Sequence, residues 1–158
     1  SELCMKKNIL MTADSQSSSQ EGDISRFKKM DLITPTGKEA RICILDSEIG
    51  IEGLIKKIKE KSKSKNVILK LGPEGIIISK FANNKVKVDR LPAVSKSEVI
   101  DVSGAGDAML TISSLSLACD LNIWEASFLG SIAAGISINK YGNVPISFDE
   151  LRKDINSR

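Results

Sequence analysis

The sequence predicts an α/β fold: a doubly wound, mostly parallel sheet with an antiparallel hairpin, followed by a helical C-terminal third. Three observations lead there. Short apolar runs alternate with amphipathic stretches over the first half of the chain. Val67 to Leu71 is almost continuously apolar, as expected of a strand buried on both faces. The last third carries three segments with helix-start signals. Sheets of this class bind ligands at the carboxyl ends of their strands, where loops meet helix N-termini.

The 158 residues fit one domain, taken as residues 1–158, and allow one sizeable core. A net charge of +3 argues against a dedicated nucleic-acid binder, which concentrates basic residues on one face. The lysines between 56 and 65 read as the solvated face and exit of a helix. Cys4, Cys43 and Cys119 are odd in number and lack zinc-ligand spacing, so reduced, buried thiols are expected. The chain has no histidine, which removes every mechanism that needs an imidazole base or ligand. No apolar run reaches the length of a membrane span and no signal-peptide pattern opens the chain, so the cytoplasm is the expected compartment and no membrane partner is expected.

Residues 8–13 read as a short buried strand, and Ser15 to Asp23 as a polar surface loop. Residues 24–30 suit a short amphipathic helix, and Asp31 to Thr34 a second strand stopped by Pro35. Ser47 and Glu48 open a helical pattern with Ile49, Ile51, Leu54, Ile55 and Ile58 near one face. Residues 67–71 fit a central parallel strand, and Gly72 to Gly75 a tight turn. Residues 76–81 and 85–90 form a hairpin about Asn83-Asn84, and Val99 to Val102 a last short strand. Residues 105–118, 123–139 and 147–155 are predicted helices; Asp120 and Asn122 suit a cap before the second, and Ser147 with Glu150 makes a capping box for the third.

The strongest chemical signal is Val99 to Met109, VIDVSGAGDAM. A strand ends, glycines permit tight backbone turns, and an apolar helix begins. The first N–H groups of a helix lack intrahelical partners and carry the positive end of the dipole, which suits a phosphate. Asp107 sits in the same turn and suits the acceptor of a proton from an attacking hydroxyl. The plainer reading is an aspartate that stabilises a helix start without catalysis. The turn is not a Walker A loop, since no lysine follows at the required spacing, nor a full dinucleotide fingerprint, since Met109 stands where the third glycine belongs.

VIDVSGAGDAM resembles the Asp-Thr-x-Gly-Ala-Gly-Asp signature of the ribokinase-like (PfkB-type) carbohydrate kinases. That resemblance implies Asp107 as catalytic base and Gly104, Ala105 and Gly106 as an anion hole. Ser103 replaces a common threonine, and Asp101 and Ser103 match positions that hold a monovalent cation, K+ included, in some members. DLITPTGKEA, residues 31–40, is similar to the family's Thr-Pro-Asn-x-x-Glu stretch. It implies Glu39 as the carboxylate that organises Mg2+ through water and Thr36 at a nucleotide-contacting position where the family has asparagine. Read alone, Glu39 is an exposed first-turn carboxylate. VILKLGPEGIII, residues 67–78, resembles the strand-turn-strand bordering the nucleotide, with Lys70, Gly72 and Gly75 matching; alone it is only a turn. Within residues 127–145, Ala133, Ala134 and Gly135 allow close helix packing. Ser131 stands near the implied adenine and Gly142 in the loop that closes the region. The nearest likeness within the family is the heptose-phosphate kinase group.

The resemblance implies ATP, Mg2+ and a sugar or sugar phosphate as ligands. It covers only the C-terminal half of a typical member, without the Gly-Gly sugar motif or the β-sheet lid. The chain is therefore expected to be an ATP-side half, completed by a missing N-terminal half or acting as a subunit, homodimer included, and to have little sugar kinase activity alone. The alternative is a non-catalytic nucleotide-binding or assembly module that keeps the fold.

Overall fold

The apolar run around Val67 becomes the middle of the sheet. In this structure, a computed structural model that describes residues 2–15, 23–82, 85–95 and 99–158, β3 (Asn66–Lys70) lies between β2 (Leu32–Ile33) and β4 (Ile76–Ala82). β1 (Thr12–Ala13) flanks β2, and β5 (Lys85–Leu91) flanks β4. β1 and β2 are parallel, with Thr12 opposite Leu32, and β2 and β3 are parallel, with Ile33 opposite Val67. β4 returns antiparallel along β3, placing Lys70 opposite Ile76. Val67, Ile68 and Leu69 are all fully buried, so both faces of β3 are covered and the run needs no polar alternation.

By its contacts the chain divides into two units, residues 1–72 with 76–90 and residues 73–75 with 91–158. In the first unit, α2 (Gly37–Ile44) and α3 (Ile51–Ser62) join one face of the sheet in a core of Ile33, Ala40, Cys43, Leu54, Ile55, Ile58, Val67 and Leu69. Of the lysines of α3, Lys56 and Lys57 are exposed, Lys59 stacks over the Phe81 ring at 4.9 Å, and Lys61 Nζ donates to Cys43 O at 2.6 Å. In the second unit, α4 (Ala105–Ala118), α5 (Ile123–Ser137) and α6 (Phe148–Asn156) form the helical third, with α4 packed along α5 and α5 against α6.

Several expectations are corrected. Only Thr12 and Ala13 of residues 8–13 are strand: Asn8 takes φ 52° and Ile9 is 54% exposed, following a short helix α1 (Glu2–Lys6). Residues 24–30 give a single 3-10 turn, Ile24–Arg26, because Lys29 turns left-handed (φ 58°) and its N–H donates to Ser62 O. The second strand is shorter than predicted, Leu32–Ile33, and α3 starts later, because Asp46 Oδ1 accepts the N–H groups of Glu48 and Ile49. Val99 to Val102 is not a strand: it pairs with no strand, and the N–H groups of Ile100 and Asp101 donate instead to Ile138 O. Of the thiols only Cys43 is buried; Cys4 is partly exposed and Cys119 exposed, and all are free. Burial pushes the Cys43 thiol above its ordinary range. The polar loop at 16–22 and the turn at Asn83-Asn84 lie outside the described residues. Among the described residues no helix is long and apolar enough to cross a membrane.

Candidate active site

The glycine turn forms as its residues require. Gly104 is the N-cap of α4 at φ 76°, in the left-handed region, and no side chain caps the helix there. Helix geometry then leaves the N–H groups of Gly106 and Asp107, the second and third helical residues, without intrahelical acceptors. The Ala105 N–H is less available than the resemblance implies, since it donates to Val102 O at 3.3 Å. Uncapped donors at the positive end of a fourteen-residue helix suit an anion. Asp107 is exposed, and its Oδ2 accepts from Asn143 Nδ2 at 3.3 Å.

The turn is braced from a loop some forty residues later. Asp101 Oδ1 accepts the Ser103 N–H and its Oδ2 the Gly142 N–H, each at 2.9 Å. The Ser103 N–H, the Ser103 hydroxyl and the Gly142 N–H hold the Asp101 carboxyl below the usual range. Ser137 Oγ donates to Ser103 O at 3.5 Å. Gly142 itself takes φ 72°. Beyond it, Lys140 Nζ donates to Pro145 O and pairs with Glu150 at 2.7 Å, tying the loop to the start of α6. Lys140, then the Ser147 N–H, then its hydroxyl pull the Glu150 carboxyl down to about 2.

In the first unit, Thr36 and Glu39 meet in a capping box at the start of α2. Glu39 Oε2 accepts the Thr36 N–H at 2.7 Å and its hydroxyl at 2.9 Å, while Thr36 Oγ1 accepts the Glu39 N–H. Glu39 is therefore a first-turn carboxylate but a buried one, 3% exposed, which corrects the exposed reading. Lys70 ends β3 beside them: its N–H donates to Pro35 O, and it bridges to Thr36. Its ammonium pairs with Asp14 at 2.5 Å, with both side chains mostly buried. Burial pushes the Asp14 carboxyl up; Lys70 pulls it back and Glu39 adds a smaller upward push.

Gly72, in the first unit, takes φ 60° and is the first residue of the 3-10 turn Gly72–Glu74. Gly75, in the second, takes φ 91° with the Leu91–Ala93 backbone against it. Ser131 lies on α5 with its hydroxyl buried and without a hydrogen-bond partner among the described residues. No group of three or more His, Cys, Asp or Glu side chains that could hold a metal ion gathers among the described residues. Two residues escaped the sequence reading. Asp14 was detectable as the first carboxylate after an apolar strand, at the end where such sheets bind ligands. Asn143 had no local signal beyond adjoining Gly142, since its partner is 36 residues away.

Residues 2–148 match the family model described as pfkB family carbohydrate kinase. The "Bifunctional protein HldE" of Campylobacter jejuni is 34% identical over 133 residues, 82% of this chain and 28% of that protein. That of Campylobacter concisus is 31% identical over 98% of this chain and 31% of its own length. The chain thus spans under a third of these curated relatives. Among solved structures, phosphofructokinase-2 from Escherichia coli in complex with potassium superposes with a TM-score of 0.78 at 21% identity, over 99% of this chain and 50% of that one. Ribokinase from Thermotoga maritima gives 0.75 at 25% identity, over 98% and 52%. Arabidopsis thaliana ribokinase complexed with ribose and ATP gives 0.76 at 18%, over 95% and 48%. The ribokinase-like fold is shared throughout, and the chain belongs to the pfkB family of carbohydrate kinases.

Proposed function

We propose that this chain supplies the nucleotide-binding and catalytic half of an ATP-dependent kinase acting on a hydroxyl of a sugar or sugar phosphate. The observation that carries the reading is the juxtaposition, at one helix start, of a carboxylate at Asp107 with the uncapped N–H groups of Gly106 and Asp107. Family membership supports phosphotransfer as the chemistry. Magnesium ATP, when bound, supplies the γ-phosphoryl group and the metal charge that offsets its oxygens. Asp107 accepts the proton of the acceptor hydroxyl, and the backbone donors beside it stabilise the anionic oxygens. Glu39 orients the metal's water shell, with Thr36, Lys70, Gly72, Gly75, Ser131 and Gly142 as the nucleotide-side residues. Asp101 and the Ser103 backbone are the positions for a monovalent cation; the ionised Asp101 carboxylate fits that use. The likeness to the heptose-phosphate kinase group favours a phosphorylated heptose as acceptor.

A second reading, a non-catalytic nucleotide-binding or assembly module, has one observation in its favour: Thr36 stands at the expected asparagine position and is committed to the capping box. Asp107→Asn in the full-length kinase separates the two. Turnover is expected to fall by at least about a hundredfold, the usual size of a general-base contribution, while ATP affinity by titration calorimetry holds. Unchanged turnover would remove Asp107 as the base.

A further inference from the structure

Among the described residues four helices carry an acidic residue at their third position, and one of them behaves differently. Glu39 in α2, Glu125 in α5 and Glu150 in α6 each fold back onto the N–H of their own cap residue, Thr36, Asn122 and Ser147. Asp107 in α4 has a glycine cap with no side chain to answer it, and no side-chain cap bond forms. Its Oδ2 is held from outside the helix, by Asn143 Nδ2.

Asn143 is placed for this from two directions. A Cβ on Gly104 would lie 2.2 Å from Asn143 Oδ1 and 2.8 Å from its Cγ, so the asparagine rests against the bare face of the cap glycine. Its backbone is fixed on both sides. The preceding Gly142 N–H is tied to Asp101, and the Val144 N–H turns back to Gly142 O. Further along, Lys140 secures Pro145 O. The amide therefore meets Asp107 without having to search for it.

We infer that Asn143 is a positioning residue for Asp107: it turns Oδ2 away from the helix's own cap and leaves Oδ1 for the proton of the acceptor hydroxyl. The inference rests on reading Asp107 as the base. Losing one hydrogen bond to a charged group predicts a fall in kcat of about tenfold or more for Asn143→Ala. The KM for ATP should stay within about twofold, because the contact is to the base and not to the nucleotide. Asn143→Gln, which keeps the amide, should recover part of the loss.

The decisive measurement is a double-mutant cycle in the full-length kinase. If Asn143 acts through Asp107, Asn143→Ala added to Asp107→Asn changes the residual kcat by less than about twofold. Additive losses, or an Asn143→Ala enzyme with full kcat, overturn the inference while leaving Asp107 as base. Full turnover by Asp107→Asn alone removes the base reading and this inference with it. In the 158-residue chain, nitrogen–proton NMR gives a readout independent of turnover. Asp107→Asn should move the Asn143 side-chain amide signals, assigned by their loss in Asn143→Asp, more than those of other asparagines. Unmoved signals count against the contact.

Discussion

At the scale of single residues, the turn depends on what Gly104 lacks. Its left-handed φ would cost another residue about 1–2 kcal/mol by itself. A Cβ there would also strike Asn143 at 2.2 Å. Gly104→Ala is expected to destabilise the protein by about 1–3 kcal/mol, read by urea unfolding, and to weaken phosphate-dependent nucleotide binding. Retained stability with retained binding would mean that the turn tolerates another geometry. The turn at Gly104 and the helix start that carries Asp107 were legible because their signals are local: conformational freedom, helix-start donors and a carboxylate within four residues. Glu39 shows where locality ends. Its place in the first turn was readable, but its burial comes from the packing of α2 in the fold, against β3 among other elements, which residues 31–40 do not encode.

At the scale of elements, the caps were the most legible features. Ser147 starts α6 with the capping box that its spacing to Glu150 predicts; of the two cap candidates before α5, Asn122 is the cap, in a box with Glu125 that was not foreseen, while Asp120 turns left-handed at φ 63°. The box at Ser147 carries a pH consequence. Glu150 has a depressed carboxyl, so its contribution is complete above its ordinary 4.5 and is lost as pH falls toward about 2. Its side chain is 42% exposed, so solvent screening keeps the contribution small. Lys140→Met should flatten the part of the acid unfolding curve between those pH values and leave neutral stability within about 1 kcal/mol; an unchanged curve would show that the pair is inert. Helix contacts were harder to read. Ala133, Ala134 and Gly135 drew attention as small residues, but the tightest approach is at Gly130. A Cβ there would lie 2.2 Å from Ser113 Oγ, whereas one on Gly135 would make ordinary contact. Gly130→Ala should cost about 1–3 kcal/mol through overpacking of α4 on α5, and Ser113→Ala in the same chain should recover part of it. Val99 to Val102 shows the reverse failure: β-branched residues suggested a strand, but a strand also needs a neighbour, and no local pattern supplies one.

At the scale of the whole molecule, alternation of apolar runs and amphipathic helices identified the fold class, because a mixed sheet with helices is among the few ways to bury such a pattern. The strands lie in chain order across the sheet; α2 and α3 connect the parallel pair β2 and β3, whereas between β1 and β2 the described residues hold only a 3-10 turn. Element lengths were over-read where a left-handed residue intercepted the backbone, in the first strand at Asn8 and in the short helix at Lys29. Spanning under a third of the curated relatives it matches, the isolated chain is expected to bind nucleotide but to give little turnover with sugars or sugar phosphates in a coupled ADP-release assay. Robust turnover would show that acceptor binding is already complete within these residues. The glycine turn is not self-sufficient either. Its hydrogen bonds run to Ser137, Ile138, Gly142 and Asn143, so two stretches distant in the chain are inherited as one part. An engineer grafting this helix-start turn into another scaffold, or recombining it with a cousin's, would have to transplant residues 99 to 143 as a single cassette; the short signature alone would arrive without its hinges.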